Sequence, residues 1–123
     1  MSLEEYNDRQ SWAKARDKAR KKQMNKAARD ARKKIKNEGR CRNPDCRSGL
    51  APEWHHAVPR SKFGKWDEAK HSTDNALPVC RHCHNLWHNG DSAIPRSSLL
   101  PSEIAFILSH AGESFLDLHY PEV

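Results

Sequence analysis

The stretch EWHHAVPRSKFGKWDEAKHSTDNALPVCRHCHNLWHNG, residues 53–90, decides the fold of this chain of 123 residues. Residues 53–58 predict a short strand that Pro59 ends, and residues 75–79 predict a second short strand. The polar residues 59–74 between them predict one long loop. A structureless loop of that length in a small domain usually has a function.

The second strand is followed directly by a helix. Pro78 confines this strand to a sheet edge or a two-stranded ribbon, because proline cannot donate to the hydrogen-bond ladder. From Cys80 the residue pattern becomes helical, and Gly90 favours an end of the helix there. The stretch therefore predicts the order strand, loop, strand, helix.

Two closely spaced pairs hold all the cysteines of the chain: Cys41, Cys46, Cys80 and Cys83. Structural zinc sites draw their ligands as such pairs, one from a turn and one from the start of a helix. A disulfide framework is one alternative, but the N-terminus has no apolar signal segment, so we expect a reducing cytoplasm. Four unrelated buried thiols are the other alternative. Because no cysteine is left over, the sequence favours a structural tetrathiolate zinc site that is closed to water.

Three histidines predict a second, open site. His84 and His88 are four residues apart on the predicted helix and so project from one face of it. With His55 from the first strand, three imidazoles can converge on one cation. Three protein ligands leave coordination positions for water and substrate, which a catalytic metal requires.

His56 has a different predicted role from its neighbour His55. In a regular strand it points to the opposite face and is therefore free of the metal. A neutral histidine near pH 7 is a suitable general base. The other histidines are interpreted as solvated or satisfied side chains: His71, His82, His110 and His119.

These residues carry a resemblance to a known family. His55-His56, Asn75 and His84 resemble the three-part signature of HNH endonucleases, whose site is a strand–strand–helix finger around one metal ion. The His84-x-x-x-His88 spacing is similar to the nuclease domains of colicin-type toxins. The two cysteine pairs resemble those of zinc-bound HNH proteins of bacteriophages. The resemblance covers roughly residues 41–90.

The resemblance implies a role for each matching residue. His56 would deprotonate the attacking water, and Asn75 would bond the backbone across the loop and fix the orientation of His56. His55, His84 and His88 would bind the catalytic metal. Many zinc-bracketed members have Asp in place of His55, and many lack the last histidine. The catalytic cation therefore stays open among Mg²⁺, Mn²⁺, Ni²⁺, Co²⁺ and Zn²⁺, although magnesium prefers oxygen ligands.

Two further expectations concern substrate and product. Arg60, just past Pro59, is a candidate for clamping a phosphate oxygen, and an ordinary solvated loop arginine is an equal alternative. One finger supplies one metal and one base, so a single event is expected to nick one strand of DNA. Nothing in the sequence indicates an obligate dimer, and we expect a monomer or a weak dimer.

The net charge of +6 is placed unevenly along the chain. Residues 1–40 hold 14 Lys/Arg against 6 Asp/Glu, whereas residues 41–123 hold 8 against 10. The segment from Leu3 to Asn37 lacks Gly and Pro and predicts one long helix. Its apolar residues, from Trp12 to Ile35, predict one stripe that touches the body. We interpret this helix as an arm for the phosphate backbone; a solvated or disordered basic segment is the alternative.

The C-terminal part predicts scaffold helices. One begins around Ser98 and runs to about Ala111, with Gly112 as its cap. Its expected buried stripe is Ile104, Ile107 and Leu108. A second, short apolar helix, with Phe115, Leu116 and Leu118, is expected to end at Tyr120. Both are expected to pack on the finger.

The sequence as a whole predicts an α+β, mainly helical protein in three parts. These are a basic helical arm (1–38), a zinc-bracketed finger (39–92) and C-terminal helices (93–123). The predicted function is a metal-dependent HNH endonuclease acting on double-stranded DNA. A phage origin, and with it a host-cell cytoplasmic location and terminase packaging proteins as partners, is implied by the resemblance. A non-catalytic zinc DNA-binding module and an RNA-directed nuclease are the alternatives. No window is apolar enough to span a membrane.

Overall fold

The computed structural model describes residues 2–46, 52–90 and 94–122. The fold is mainly helical with one small antiparallel sheet, as the sequence predicted. The helices are α1 (Leu3–Glu38), α2 (Arg81–His88), α3 (Pro101–His110) and α4 (Glu113–His119), and the strands are β1 (Glu53–His56) and β2 (Ala76–Val79).

The sheet and α2 form the predicted strand–strand–helix finger. Glu53 lies opposite Val79 and His56 lies opposite Ala76, and every residue of β2 is buried. The strand β1 is two residues shorter than predicted. Beyond it, the Ala57 N–H still donates to the backbone oxygen of residue 75 at 3.3 Å. The two strands therefore stay in contact past the end of the regular ladder.

The connection between the strands is not the structureless loop that the sequence predicted. It contains three single turns of 3₁₀ helix, over residues 60–62, 68–71 and 73–75. Asn75, predicted to begin the second strand, ends the last of these turns. The reason is that its side chain binds the backbone of Val58 instead of pointing outward from a strand.

Helix α1 packs on the body only near its C-terminal end. Its buried residues are Ala28, Ala31 and Ile35, and Trp12 is 82% exposed. The predicted contact of Trp12 with the body is therefore wrong. A helix of 36 residues is about 54 Å long, more than the small body behind it can cover. The helix ends at Gly39, whose φ of 65° is a left-handed conformation that glycine adopts without strain.

The C-terminal helices share one core with the finger. Leu77 of β2 and Trp87 of α2 belong to the same buried cluster as Ile107, Leu116 and Tyr120. The finger thus completes its apolar core with residues from the end of the chain.

The predicted apolar face of α3 is wrong in part. Phe106 and Ile107 are buried, whereas Leu108 is 44% exposed. The helix begins at Pro101 and not near Ser98, because residues 96–98 form a separate 3₁₀ turn. In α4, Leu118 is exposed. Neither exposed leucine belongs to the core cluster that these helices share with the finger.

A buried carboxylate connects α1, α3 and the first cysteine pair. Glu103 of α3 is fully buried and lies 2.6 Å from both Lys34 Nζ and Arg42 Nη1. Burial alone would raise the pKa of Glu103, but hydrogen bonds from Arg42 and Lys34 hold it below its usual range. The ion pairs hold Arg42, and with it the neighbouring Cys41, against the end of α1.

Candidate metal centres and active site

The four cysteines lie together at the base of the finger. Their sulfur atoms are all within 4.8 Å of one another. Cys41 and Cys46 come from the turn after α1, Cys80 is the N-cap of α2, and Cys83 lies in its first turn. No disulfide links them, since the Cys46 and Cys80 sulfurs are 3.4 Å apart, well beyond the S–S bond length of about 2.05 Å. In this structure the four sulfurs thus form one cluster, not a set of disulfides and not four scattered thiols.

The surroundings of these sulfurs suit a bound cation. Sulfurs at about 2.3 Å from a tetrahedral zinc ion are about 3.8 Å apart, which agrees with this cluster. The Cys80 N–H points at the Cys41 sulfur, and the Asn43 side-chain amide points at the Cys83 sulfur, each at 3.4 Å. Burial raises the pKa of Cys41 and Cys83, so these thiols would ionise only with a cation to neutralise them. The cluster is therefore compatible with structural zinc.

The three histidines predicted as ligands form a second cluster. His55, His84 and His88 each offer a ring nitrogen, and these atoms lie within 4.8 Å of one another. The Nε2 atoms of His84 and His88 are 2.9 Å apart. Burial, together with the neighbouring histidines, lowers the pKa of His55 and His84. These rings are neutral at neutral pH, which is the form that binds metals.

Tyr120 fixes which nitrogen of His55 is available. The Tyr120 hydroxyl donates to the Ala57 backbone oxygen at 2.7 Å, so its oxygen can only accept from His55 Nε2 at 3.0 Å. His55 Nδ1 then keeps the lone pair. This Nδ1 is buried and has no hydrogen-bond partner within the described residues. A buried acceptor without a partner is costly, and a cation held with His84 and His88 would satisfy it.

His56 lies on the other face of β1, against Trp54. The two rings stack at 4.5 Å with an interplanar angle of 13°. Burial, and then the charge of Arg60, lowers the pKa of His56 to about 4, so the imidazole is neutral at neutral pH. His56, Arg60, His84 and His88 together line one cavity of about 330 Å³. The structure thus brings the predicted base, the predicted clamp and two predicted metal ligands to one opening.

Asn75 lies beneath this cavity and does not line it. Its side-chain oxygen accepts from Val58 N at 2.6 Å, and its amide donates to Val58 O at 3.0 Å. Its backbone oxygen accepts from the Trp54 indole at 3.2 Å. Asn75 therefore holds the chain on both sides of His56, two residues after it and two before it.

His71 differs from its interpretation as a solvated or satisfied side chain. Its ring lies 6.2 Å from that of His56 and contacts the edge of Trp54 at 5.6 Å. Its Nδ1 and the Nε2 of His56 are both buried without hydrogen-bond partners within ranges 2–46, 52–90 and 94–122. By contrast, His82 is exposed on α2.

Several residues that the sequence did not single out contact the predicted site residues, and Trp54, Glu53 and Tyr120 are among them. Trp54 shares a face of β1 with His56, and this i, i+2 spacing was the signal that could have found it. A carboxylate oxygen of Glu53 in β1 lies 3.9 Å from His84 Nδ1 in α2. Tyr120 is 65 residues from His55 in sequence, and nothing local signals that contact.

Comparison with known proteins gives one match. Residues 39–90 match the family model described as HNH endonuclease, so this segment carries an HNH domain, as its residue pattern predicted. A domain of this family indicates a nuclease. Neither the curated proteins nor the solved structures include a significant match to the chain. Within the described residues, no helix is both long and apolar enough to cross a membrane.

Proposed function

We propose that the HNH domain at residues 39–90 is a metal-dependent endonuclease that hydrolyses phosphodiester bonds of double-stranded DNA. The observation that carries this proposal is the cavity shared by His56, Arg60, His84 and His88. A zinc module that only binds DNA would need the cysteine cluster, but it would not need a second cluster that opens onto a cavity. The arrangement therefore favours an enzyme.

The residues present fit two cations of different kinds. The four cysteines would hold a structural zinc ion with every coordination position filled. His55 Nδ1, His84 and His88 would hold the catalytic cation, and three imidazoles favour Zn²⁺, Ni²⁺, Co²⁺ or Mn²⁺ over Mg²⁺. When bound, that cation supplies positive charge to a phosphate oxygen and to the departing 3′ oxygen.

His56 is the general base in this proposal. Its neutral imidazole would take a proton from the water that attacks phosphorus, while the stacked Trp54 and the bonds of Asn75 keep the ring in place. A bound phosphate would raise the pKa of His56 by its negative charge, and so would make it a stronger base when substrate is present. Positioned general bases contribute roughly 10²–10⁴-fold to a rate.

Arg60 would bind the phosphate from the rim of the same cavity. Its side chain is exposed and has no ion-pair partner within the described part of the chain. A guanidinium can bind two phosphate oxygens at once. Arg60 would thus fix the phosphate against the attacking water.

The projecting part of α1 would add affinity for DNA. Residues 2–23 include seven Lys/Arg against four Asp/Glu, and no residue there is buried. Contacts of such an arm with phosphates would raise affinity without reading sequence. A phage-encoded role beside packaging proteins belongs to the same proposal, and it rests only on the small size of the chain and on its two cysteine pairs.

The test is cleavage of supercoiled plasmid by the full chain with Mg²⁺, Mn²⁺, Ni²⁺, Co²⁺ or Zn²⁺, wild type beside His56→Ala. We expect the wild type to convert plasmid first to open circles and later to linear DNA, because one site cuts one strand. His56→Ala should lose at least about 100-fold in rate and keep its DNA affinity and metal content. Equal rates for the two proteins would show that His56 is not the base.

A further inference from the structure

A second groove adjoins the catalytic cavity on the side of α1. It has a volume of about 500 Å³, and it is lined by Arg32, Ile35, Lys36, Gly39, Pro52 and Trp54. Its apolar wall is formed by Ile35, which is buried, and by the half-buried Trp54 and Pro52. Its rim is formed by two cations from the last turns of α1.

The two cations face the groove without being neutralised. Arg32 and Lys36 are four residues apart, so they lie on one face of α1. Both side chains are exposed, and neither has an ion-pair partner within the part of the chain that the structure describes. The nearest acidic residues along the helix are Asp30 and Glu38. Asp30 is two residues from Arg32 and so does not share its face of the helix. Glu38 is bound to Arg42 at 2.8 Å. The groove therefore presents two positive charges above an apolar wall.

Trp54 belongs to both openings. It lines the groove and also the cavity of His56, and of the residues that the structure describes it alone lines both. Its indole donates to the backbone oxygen of Asn75, and its ring packs against the cluster of Ala31, Ile35 and Ala76. A chain that leaves the catalytic cavity over Trp54 thus enters the groove directly.

We propose that this groove binds the DNA strand next to the bond that is cut, with Arg32 and Lys36 on consecutive phosphates to one side of it. The proposal rests on the proposed function and extends it by naming a substrate subsite. A polyanion fits the two free cations, and the apolar edge of deoxyribose fits Ile35 and Pro52. The last turns of α1 then position the cleaved strand, whereas the projecting part of the helix adds only general affinity.

The position of each contact can be measured with end-labelled DNA duplexes that carry one neutral methylphosphonate linkage. The wild type should fail to cut at the neutral linkage itself. It should also cut poorly at bonds that are one to three linkages from the neutral one, because the neutral linkage then lies in the groove. This protection should be seen on one side of the neutral linkage only. Arg32→Gln/Lys36→Gln should lose this one-sided protection and keep the block at the linkage itself.

The matched control is Lys26→Gln/Lys33→Gln. These two lysines are exposed on α1 and do not line the groove, and their substitution removes the same amount of charge. The control should keep the one-sided protection. Protection that is symmetric or absent in the wild type, or that is unchanged in the groove variant, would overturn the proposal.

A binding measurement separates this proposal from the nuclease itself. The quantity to measure is the slope of log affinity for a duplex against log salt concentration. For Arg32→Gln/Lys36→Gln this slope should be smaller by about 1.8 than for the wild type, since each phosphate contact contributes about 0.9. For the control variant the slope should fall by less than half of that amount. If the wild type cuts no DNA with any metal but this difference holds, the nuclease proposal fails and the groove stands as a DNA site. Equal slopes for the two variants would remove the groove, whatever the cleavage result.

Discussion

The two ligand clusters of this protein share the short helix α2, which begins with Cys80 and Cys83 and carries His84 and His88 after them, and they differ in what surrounds them. The cysteine sulfurs are enclosed between the turn after α1 and the start of α2, where Cys80 and Cys83 are fully buried. The histidine cluster opens onto a cavity, with His55 buried behind it and His88 exposed at its mouth. Four sulfur ligands, two of them fully buried, suit a structural ion, and imidazoles beside a cavity suit a reactive one.

The largest effect is expected from removing one cysteine. Cys83→Ser should abolish the fold, because structural zinc contributes about 10–16 kcal/mol of apparent binding energy, while a whole domain is stable by only about 5–15 kcal/mol. Circular dichroism and zinc analysis of the purified variant would measure this. A folded Cys83→Ser protein that still cuts DNA would mean that the cysteine cluster is dispensable, and the contrast between the clusters would disappear.

Removing one histidine should separate activity from folding. His84→Ala should lose the catalytic ion and cleavage, yet unfold near the wild-type temperature when both are measured without added metal. The physical reason is that His84 is only partly buried and does not belong to the apolar core cluster.

The control for that variant is His82→Ala, an exposed histidine of the same helix that belongs to neither cluster. It should keep wild-type activity and metal content. Loss of the fold in His84→Ala, or loss of activity in His82→Ala, would show that the cysteines and the histidines of α2 do not have separate structural and reactive roles.

The local parts of this arrangement could be predicted from sequence. Cys80, Cys83, His84 and His88 lie on one short helix, so their spacing alone sets which side chains meet. His55 and His56 are adjacent in a strand, and alternation alone sends them to opposite faces.

The contacts between distant segments could not be predicted. Nothing near Tyr120 indicates that its hydroxyl reaches His55, and nothing near Glu103 indicates that it binds Arg42. The apolar residues of α1 predicted that one face of the helix contacts the body over most of its length. The pattern of a helix does not show how large the body is that the helix packs against. Only the last turns of α1 find a partner, and Trp12 is left exposed.

A smaller effect, confined to the histidine cluster, is expected from Tyr120→Phe. The ring would still fill its place, but the hydrogen bonds to His55 and to the Ala57 backbone oxygen would be lost. Mutation of a residue that orients a metal-binding histidine typically lowers metal affinity by about 10–100-fold. Calorimetric titration with Ni²⁺ or Zn²⁺ should therefore show weaker binding at the second site, with zinc at the cysteines retained.

Tyr6→Phe is the control, because Tyr6 is an exposed tyrosine on the projecting part of α1. It should leave both metal affinities unchanged. If Tyr120→Phe also left both metal affinities unchanged, the hydrogen bond from His55 Nε2 to Tyr120 would not determine which nitrogen binds the metal. The assignment of Nδ1 as the metal-binding atom would then fail.

The smallest effect on either cluster is expected from deleting residues 2–23. This segment contains no buried residue, and the anchoring residues Ala28, Ala31 and Ile35 stay in place. Both metal contents and the melting temperature should therefore stay close to those of the full chain. Affinity for DNA should fall, and the segment's surplus of three positive charges would lower the salt slope by about 2.7 if each neutralises one phosphate. An unchanged slope in the folded, truncated protein would show that the projecting helix does not contact DNA, and the groove at Arg32 and Lys36 would then be the main basic contact that α1 contributes.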